Sequence, residues 1–213
     1  KIIRQVRMNN KKIKILVDAA QDVPHRKIDV QKMDCDFLVF SGHKMLAGTG
    51  IGVLYIKKDV ARDMSPFLFG GDMIKEVTLA KTTFSDVPTR FEAGTLGIAE
   101  IISLGTAIDY LDKVGFGRIE KHEKELMEYA YEKLEKIHGL TVYGPSNLID
   151  RGSVVTFTLD SIHPHDVAQV LADENICVRS GHHCTMPLHN RLGIPASIRA
   201  SFYLYNDEED VDE

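Results

Sequence analysis

The chain has 213 residues, of which 44% are hydrophobic and 27% charged. Those are ordinary globular proportions, which exclude a disordered chain or a fibre, and the length suits one large domain or two small ones. The 26 basic and 31 acidic residues sum to −5, no surplus for a nucleic-acid partner, and no apolar run reaches the roughly 18 residues of a membrane helix.

The opening residues, Lys1-Ile2-Ile3-Arg4-Gln5-Val6-Arg7, lack a starting Met and the apolar centre of a signal peptide; they read as the interior of a helix. Three short apolar runs follow. Residues 13–17 (Ile-Lys-Ile-Leu-Val) stop at Asp18-Ala19-Ala20-Gln21, residues 37–40 (Phe-Leu-Val-Phe) stop at Ser41-Gly42-His43-Lys44, and residues 51–56 form the third. Their near-continuous apolar character predicts strands buried on both faces, in a mostly parallel sheet under helices. Ligands of such sheets sit beyond the carboxyl ends of the strands, so the polar residues ending the first two runs are the first candidates for a site.

Helical spacing of Ile98, Ile101, Ile102, Ile108 and Leu111 predicts a helix over 97–113, punctuated by Gly115 and Gly117. A second helix is expected over 118–137, with Ile119, Leu126, Ala130, Leu134 and Ile137 as its apolar stripe. Glu120/Lys124 and Glu132/Lys136 are its exposed i,i+4 pairs. Gly144-Pro145-Ser146-Asn147 signals a turn. A strand over 154–159, a helix over 165–172 and a strand over 176–178 follow, and Asp207–Glu213 reads as the start of a helix. The change to longer helices and alternating strands places a domain boundary near residue 113.

Cys35, Cys177 and Cys184 form no CxxC pair and leave an odd thiol, which suits a reducing cytoplasm. Cys35 and Cys177 lie in apolar runs and read as small buried hydrophobes. Cys184 sits in Arg179-Ser180-Gly181-His182-His183-Cys184, where cationic neighbours and a glycine can make a thiol reactive and accessible. A buried thiol is the rival reading, and a metal site with His182, His183 and His189 is another, although no second cysteine or carboxylate completes a zinc set.

Lys44 follows a buried-type strand and is flanked by Ser41 and His43, so it is either a solvated surface lysine or an amine at the floor of a site. The latter is the chemistry of Schiff bases with carbonyls, pyridoxal phosphate included. Ser41 and His43 can donate hydrogen bonds to a phosphate. The glycines of Gly48-Thr49-Gly50-Ile51-Gly52 neither open a helix nor precede a lysine, so they read as a tight turn between strands. Asp18 either caps a turn or faces a pyridine nitrogen, and Gln21 can bond ring substituents. Arg199 is either a surface ion-pair residue or a bidentate holder of an amino-acid carboxylate.

In order, VDAAQ (Val17–Gln21), SGHK followed by GTGIGVLY, RFEAGT (Arg90–Thr95), RSGHHC (Arg179–Cys184) and RASFYLYN (Arg199–Asn206) resemble the cysteine desulfurases of the Suf type. These are class-V, fold-type I pyridoxal-phosphate enzymes. The resemblance implies an α/β fold: the later part of a mostly parallel-sheet large domain over 1–113, then a smaller α+β C-terminal domain over 114–213. It implies that Lys44 binds pyridoxal 5'-phosphate covalently, with Asp18 on the pyridine nitrogen, Gln21 on the ring hydroxyl and Ser41 and His43 on the phosphate. Thr95 would reach the partner's cofactor across a homodimer interface. Arg199 would hold the carboxylate of L-cysteine, with Arg179 close by. Cys184 would take the sulfur as a persulfide for iron–sulfur cluster assembly, releasing alanine, and a small sulfur-acceptor protein would dock near its loop.

A selenocysteine lyase carries the same motifs and is the alternative activity; a truncated subunit without activity is the other. Two departures, Ala47-Gly48 for the family's Gly-Pro and Leu96-Gly97 for its Pro-Asn, fall in backbone-shaping positions. Family members run to about twice this length, so the chain is expected to lack an N-terminal portion and a C-terminal helix. No nucleic acid, membrane or metal is expected.

Overall fold

Two of the three early apolar runs become neighbouring parallel strands, and the third turns back on them. In the computed structural model, which describes residues 2–145, 147, 148 and 151–213, the chain divides into two compact units, Lys1–Phe116 and Gly117–Glu213. Ser146, part of the expected turn, lies outside the described residues. The first unit runs α1 (Ile2–Asn9), β1 (Leu16–Asp18), α2 (Val30–Met33), β2 (Phe37–Ser41), a 3-10 turn (Gly42–Met45), β3 (Gly52–Ile56) and α3 (Lys58–Asp63). It continues through a hairpin, β4 (Ile74–Val77) and β5 (Thr82–Phe84), to α4 (Ile98–Val114).

The sheet of this unit has the order β1-β2-β3. β1 and β2 are parallel, with Asp18 opposite Val39, whereas β2 and β3 are antiparallel, with Ser41 opposite Gly52. Its visible part is therefore mixed. The strands are not buried on both faces as their composition suggests. Successive side chains point to opposite faces, so Leu38 is buried while Leu16 and Leu54 are exposed. The packed face gathers Ala19, Cys35 and Leu38 against Ile3, Val17, Val30 and Phe40.

α1 is tied to this core by charge. Asp36 is only 4% exposed, and its Oδ2 accepts from Arg7 at 2.6 Å and from the Ile15 amide at 2.8 Å. Burial pushes the Asp36 carboxyl up, but the Ile15 and Arg7 donors outweigh it and the net shift is downward. A depressed carboxyl stabilises the fold above its unfolded value, near 3.9, and that stabilisation disappears as pH falls through the folded value. In the full-length protein, Arg7→Met should lower stability at pH 7 by about 2–3 kcal/mol, because a buried carboxylate loses its cation. The deficit should shrink toward pH 3, as Asp36 begins to take up a proton and depends less on the cation. Urea midpoints at the two pH values check this.

α4 forms where its spacing predicts, but it is buried through Leu104, Ala107 and Leu111, and Ile98, Ile101, Ile102 and Ile108 are exposed. The spacing identifies a helix; which of its apolar residues meet a neighbour is a tertiary matter.

The second unit contains α5 (Phe116–Leu134, whose first residue closes the preceding unit), β6 (Leu140–Tyr143), β7 (Val154–Leu159), α6 (Pro164–Asp173), β8 (Arg179–Gly181), α7 (Met186–Leu192), β9 (Ser197–Ser201) and α8 (Glu208–Asp212). Its antiparallel sheet has the order β6-β7-β9-β8. Val155, Phe157 and Ile198 meet Met127 and Ala130 of α5 in a core joined by Val167 of α6 and Val211 of α8. α8 begins with a capping box between Asp207 and Asp210.

Several expectations need correction here. α5 ends at Leu134, so Ile137 is exposed and Lys136 lies beyond the helix. Among the described residues the i,i+4 ion pairs of this helix are Lys121–Glu125 and Lys124–Glu128 rather than Glu120/Lys124 and Glu132/Lys136. The strand expected over 176–178 starts three residues later, at Arg179, because that is where the register with β9 begins. Cys177 then falls before the strand and is exposed, not buried, whereas Cys35 is fully buried. The charged stripe of α5 also conceals Glu123, which is buried and accepts from Ser153 Oγ at 2.8 Å.

Candidate active-site residues

The first unit collects one set of residues at the carboxyl ends of two parallel strands. Asp18 closes β1, and its Oδ1 accepts from the Ala20 amide at 3.0 Å, holding the turn that leads to Gln21. Ser41 closes β2, and the chain tightens at once into the 3-10 turn that carries His43 and Lys44. Gly42 and Met45 face inward and are buried, so His43 and Lys44 are exposed.

Gly42 is required there by space. A Cβ at this position would meet Ile51 Cγ2 at 2.5 Å, and the Gly42 amide already donates to Ile51 O at 2.9 Å. Leu46, at φ 70°, ends the turn. The glycine run is thus part of a ten-residue connection with its own helical turn, longer than the tight turn read from composition. Gly48 N donates to Ser103 Oγ of α4 at 2.7 Å, which fixes α4 beside this connection. Thr95 is exposed in the loop just before α4.

These residues have the chemistry for a phosphorylated pyridine aldehyde: an exposed amine, a carboxylate with one oxygen free of the Ala20 contact, and a Ser41 hydroxyl that caps nothing. The donor set fits pyridoxal phosphate.

The second unit collects the other set. Arg179 of β8 and Arg199 of β9 are direct cross-strand partners, and Thr156 of β7 lies opposite Arg199 on its other side. Like charges placed opposite each other destabilise a sheet unless an anion joins them. Burial, followed by the Arg179 charge, holds the Arg199 guanidinium below its ordinary value. Arg179 Nη2 lies 3.7 Å from Cys184 Sγ.

Cys184 is exposed on a four-residue turn closed by Thr185 N donating to His182 O at 2.7 Å. Both central residues, His183 and Cys184, have positive φ (50° and 64°), the φ pattern of a type I′ turn normally filled by Asn-Gly. Two non-glycine residues in that region are strained, and the strain lies at the thiol.

The face of the sheet that carries Ser197 and Arg199 is opposite the core and forms a pocket of about 390 Å³ with Tyr143, Thr156, His183 and Leu188 among its lining. Two of the histidines noted as possible metal ligands have ring nitrogens engaged within the protein. His183 and His189 both contact Ser197 Oγ, and among the described residues no three His, Cys, Asp or Glu side chains converge on one point. Ser197 is the part of this site that sequence reasoning left without a role, and His189 was named only as a possible metal ligand. Ser197 gives no signal, since its place depends on the β8–β9 register.

The whole chain, residues 1–213, matches the family model described as aminotransferase class-V. The chain belongs to the class-V aminotransferase family. Within the family it is similar to a cysteine desulfurase of Haloferax volcanii, 49% identical over 199 residues, covering 93% of this chain and 46% of that protein. It is also similar to a probable cysteine desulfurase of Staphylococcus epidermidis, 53% identical over 199 residues, with 93% and 48% covered.

Among solved structures, an apo cysteine desulfurase from Thermococcus onnurineus superposes with a TM-score of 0.92 at 42% identity, covering 96% of this chain and 51% of that one. A cysteine desulfurase from Escherichia coli in an S-sulfonic acid form gives 0.89 at 36% identity, covering 96% and 50%. The fold is that of these class-V enzymes. The chain spans about half the length of the curated relatives it matches. Among the described residues, no helix is long and apolar enough to cross a membrane.

Proposed function

We propose that this chain forms part of a pyridoxal-phosphate-dependent cysteine desulfurase of the Suf type, which converts L-cysteine to L-alanine and holds the sulfur as a persulfide on Cys184. The observation that carries this reading is Cys184 itself, an exposed thiol on a strained turn with one arginine 3.7 Å from its sulfur. The similarity to cysteine desulfurases near 50% identity supports it.

In this reading Lys44 binds the cofactor covalently, Asp18 pairs with its ring nitrogen, Gln21 with its ring hydroxyl, and Ser41 and His43 with its phosphate. Pyridoxal phosphate, when bound, withdraws electrons from the substrate carbon. Arg199, with Arg179 beside it, orients the substrate carboxylate by its fork of N–H donors. Cys184 attacks the substrate sulfur: an S–S bond forms on the enzyme, the substrate C–S bond breaks, and the carbon takes a proton to become alanine.

Thr95 serves a homodimer partner's cofactor, residues 1–113 belong to the cofactor domain and 114–213 to the smaller one. The persulfide passes to a sulfur-acceptor protein for iron–sulfur cluster assembly. Three free cysteines suit a cytoplasmic setting.

The full-length protein, supplied with pyridoxal phosphate and L-cysteine, should release alanine and gain 32 Da, about one sulfur atom, on the peptide carrying Cys184. Absence of alanine, or sulfur found on another cysteine, would overturn the reading. A preference for selenocysteine of several orders of magnitude would reassign it as a lyase.

A further inference from the structure

Three side chains and one carbonyl behind Cys184 form a hydrogen-bonded chain whose direction can be worked out. Thr185 O can only accept, so His189 Nδ1, 3.1 Å away, carries a proton. Thr185 Oγ1 spends its own proton on His182 O at 2.7 Å, and so does not compete as a donor to that nitrogen. Ser197 Oγ is shared by both imidazoles and has one proton. Giving it to His183 would leave an N–H on His183 Nδ1, a buried atom with no hydrogen-bond partner among the described residues. The acceptor is therefore Nε2 of His189, itself 3% exposed. Ser197 Oγ lies 2.8 Å from that nitrogen and donates its single proton there. The same oxygen can then only accept from its other neighbour, His183 Nε2 at 3.1 Å. His183 is left as the Nε2–H form, with a lone pair on Nδ1. That Nδ1 is buried and, among the described residues, has no hydrogen-bond partner.

We propose that Ser197 and His189 are positioning residues for Cys184: their relay fixes His183 as the neutral Nε2–H tautomer and thereby pins the left-handed His183–Cys184 turn. The proposal rests on Cys184 being the sulfur acceptor. The turn needs such a pin, since two successive non-glycine residues at positive φ cost roughly 1–2 kcal/mol each in isolation. The charge environment agrees. His183 faces Arg199 on β9, Arg179 on β8 and His189 on α7, with His182 and Cys184 in its own turn. Burial first, then the Arg199 charge, holds its imidazole below the ordinary value. The Ser197 backbone favours protonation but is outweighed, and a proton on Nδ1 would sit on a buried atom that has no hydrogen-bond partner among the described residues. The pin is therefore fully set above pH 6.5 and weakens as pH falls through the depressed value, the direction expected for a group that folds in its neutral form.

Histidine-selective 15N labelling of the full-length protein reads the tautomers without any turnover. At pH 7.5, His189 should show its proton on Nδ1 and His183 on Nε2, and His183 should titrate below 6.5. Ser197→Ala should release His183 into a mixture of tautomers. It should also cut kcat for alanine release about tenfold with KM little changed, as for a misplaced reacting group. Ser197→Thr, which keeps the hydroxyl, should restore the Nε2–H signal. His183→Phe removes the pin without touching the buried pair and should give the same kcat loss.

The opposite tautomer at His183, or an unchanged His183 signal in Ser197→Ala, would overturn the proposal, as would full kcat in His183→Phe. Correct tautomers in a protein that releases no alanine would instead leave the relay standing and count against the desulfurase reading.

Discussion

Cys184→Ser in the full-length protein should abolish persulfide formation and lower alanine release by about two orders of magnitude or more, while the protein stays folded and keeps its cofactor. A hydroxyl is a far weaker nucleophile than a thiolate and cannot hold sulfur as a stable persulfide. The structure separates this cysteine from the other two. Cys35 is fully buried, packs with Ala19 and Leu38, and has its thiol pushed up by burial, so it is an inert part of the core. Cys35→Ser should therefore cost stability and leave the sulfur on Cys184. Cys177 is exposed and precedes β8, whose other end leads into the turn, and Cys177→Ser should change neither property. Mass analysis of each variant after incubation with L-cysteine decides among the three. An undiminished persulfide yield in Cys184→Ser would remove the assigned role.

What the sequence disclosed about this fold depended on how local the cause was. The run 37–40 and the strand over 154–159 were readable because several successive side chains share one physical requirement, burial on a pleated surface. The helix over 97–113 was readable for the same reason, yet its isoleucines turned out exposed, because spacing specifies a face and not what covers it. The hairpin β4–β5 left no signal: β4 is exposed at every position, so no apolar pattern marks it.

The first strand-end cluster was legible because Asp18, Ser41, His43 and Lys44 each follow an apolar run directly. The second was legible in part, through the motif that carries Arg179 and Cys184. Its supporting chemistry was hidden, because Ser197 meets His183 and His189 only through the β8–β9 register and the turn into α7. Cys177 shows the same limit from the other side. An apolar neighbourhood in sequence made it look buried, and a three-residue shift of the strand exposed it.

Lys44→Ala should remove the visible absorption band that a lysine-linked pyridoxal phosphate gives, and alanine release from L-cysteine should fall by about three orders of magnitude or more. The substitution is a clean one because of how the 3-10 turn divides its residues. Gly42 and Met45 hold the turn against the core, whereas Lys44 projects from it and is exposed. Truncating an exposed side chain away from caps and buried pairs usually changes stability by no more than about 0.5 kcal/mol. Loss of the band with an unchanged urea midpoint therefore isolates the amine from the fold. Lys44→Arg sharpens the test, since a guanidinium keeps the positive charge but lacks the free amine that condenses with an aldehyde. If Lys44 served only to attract the phosphate, arginine would substitute for it, and the band would survive in Lys44→Arg while weakening in Lys44→Ala. If the amine itself makes the link, the band is lost in both, and only the alanine variant also loses the local charge.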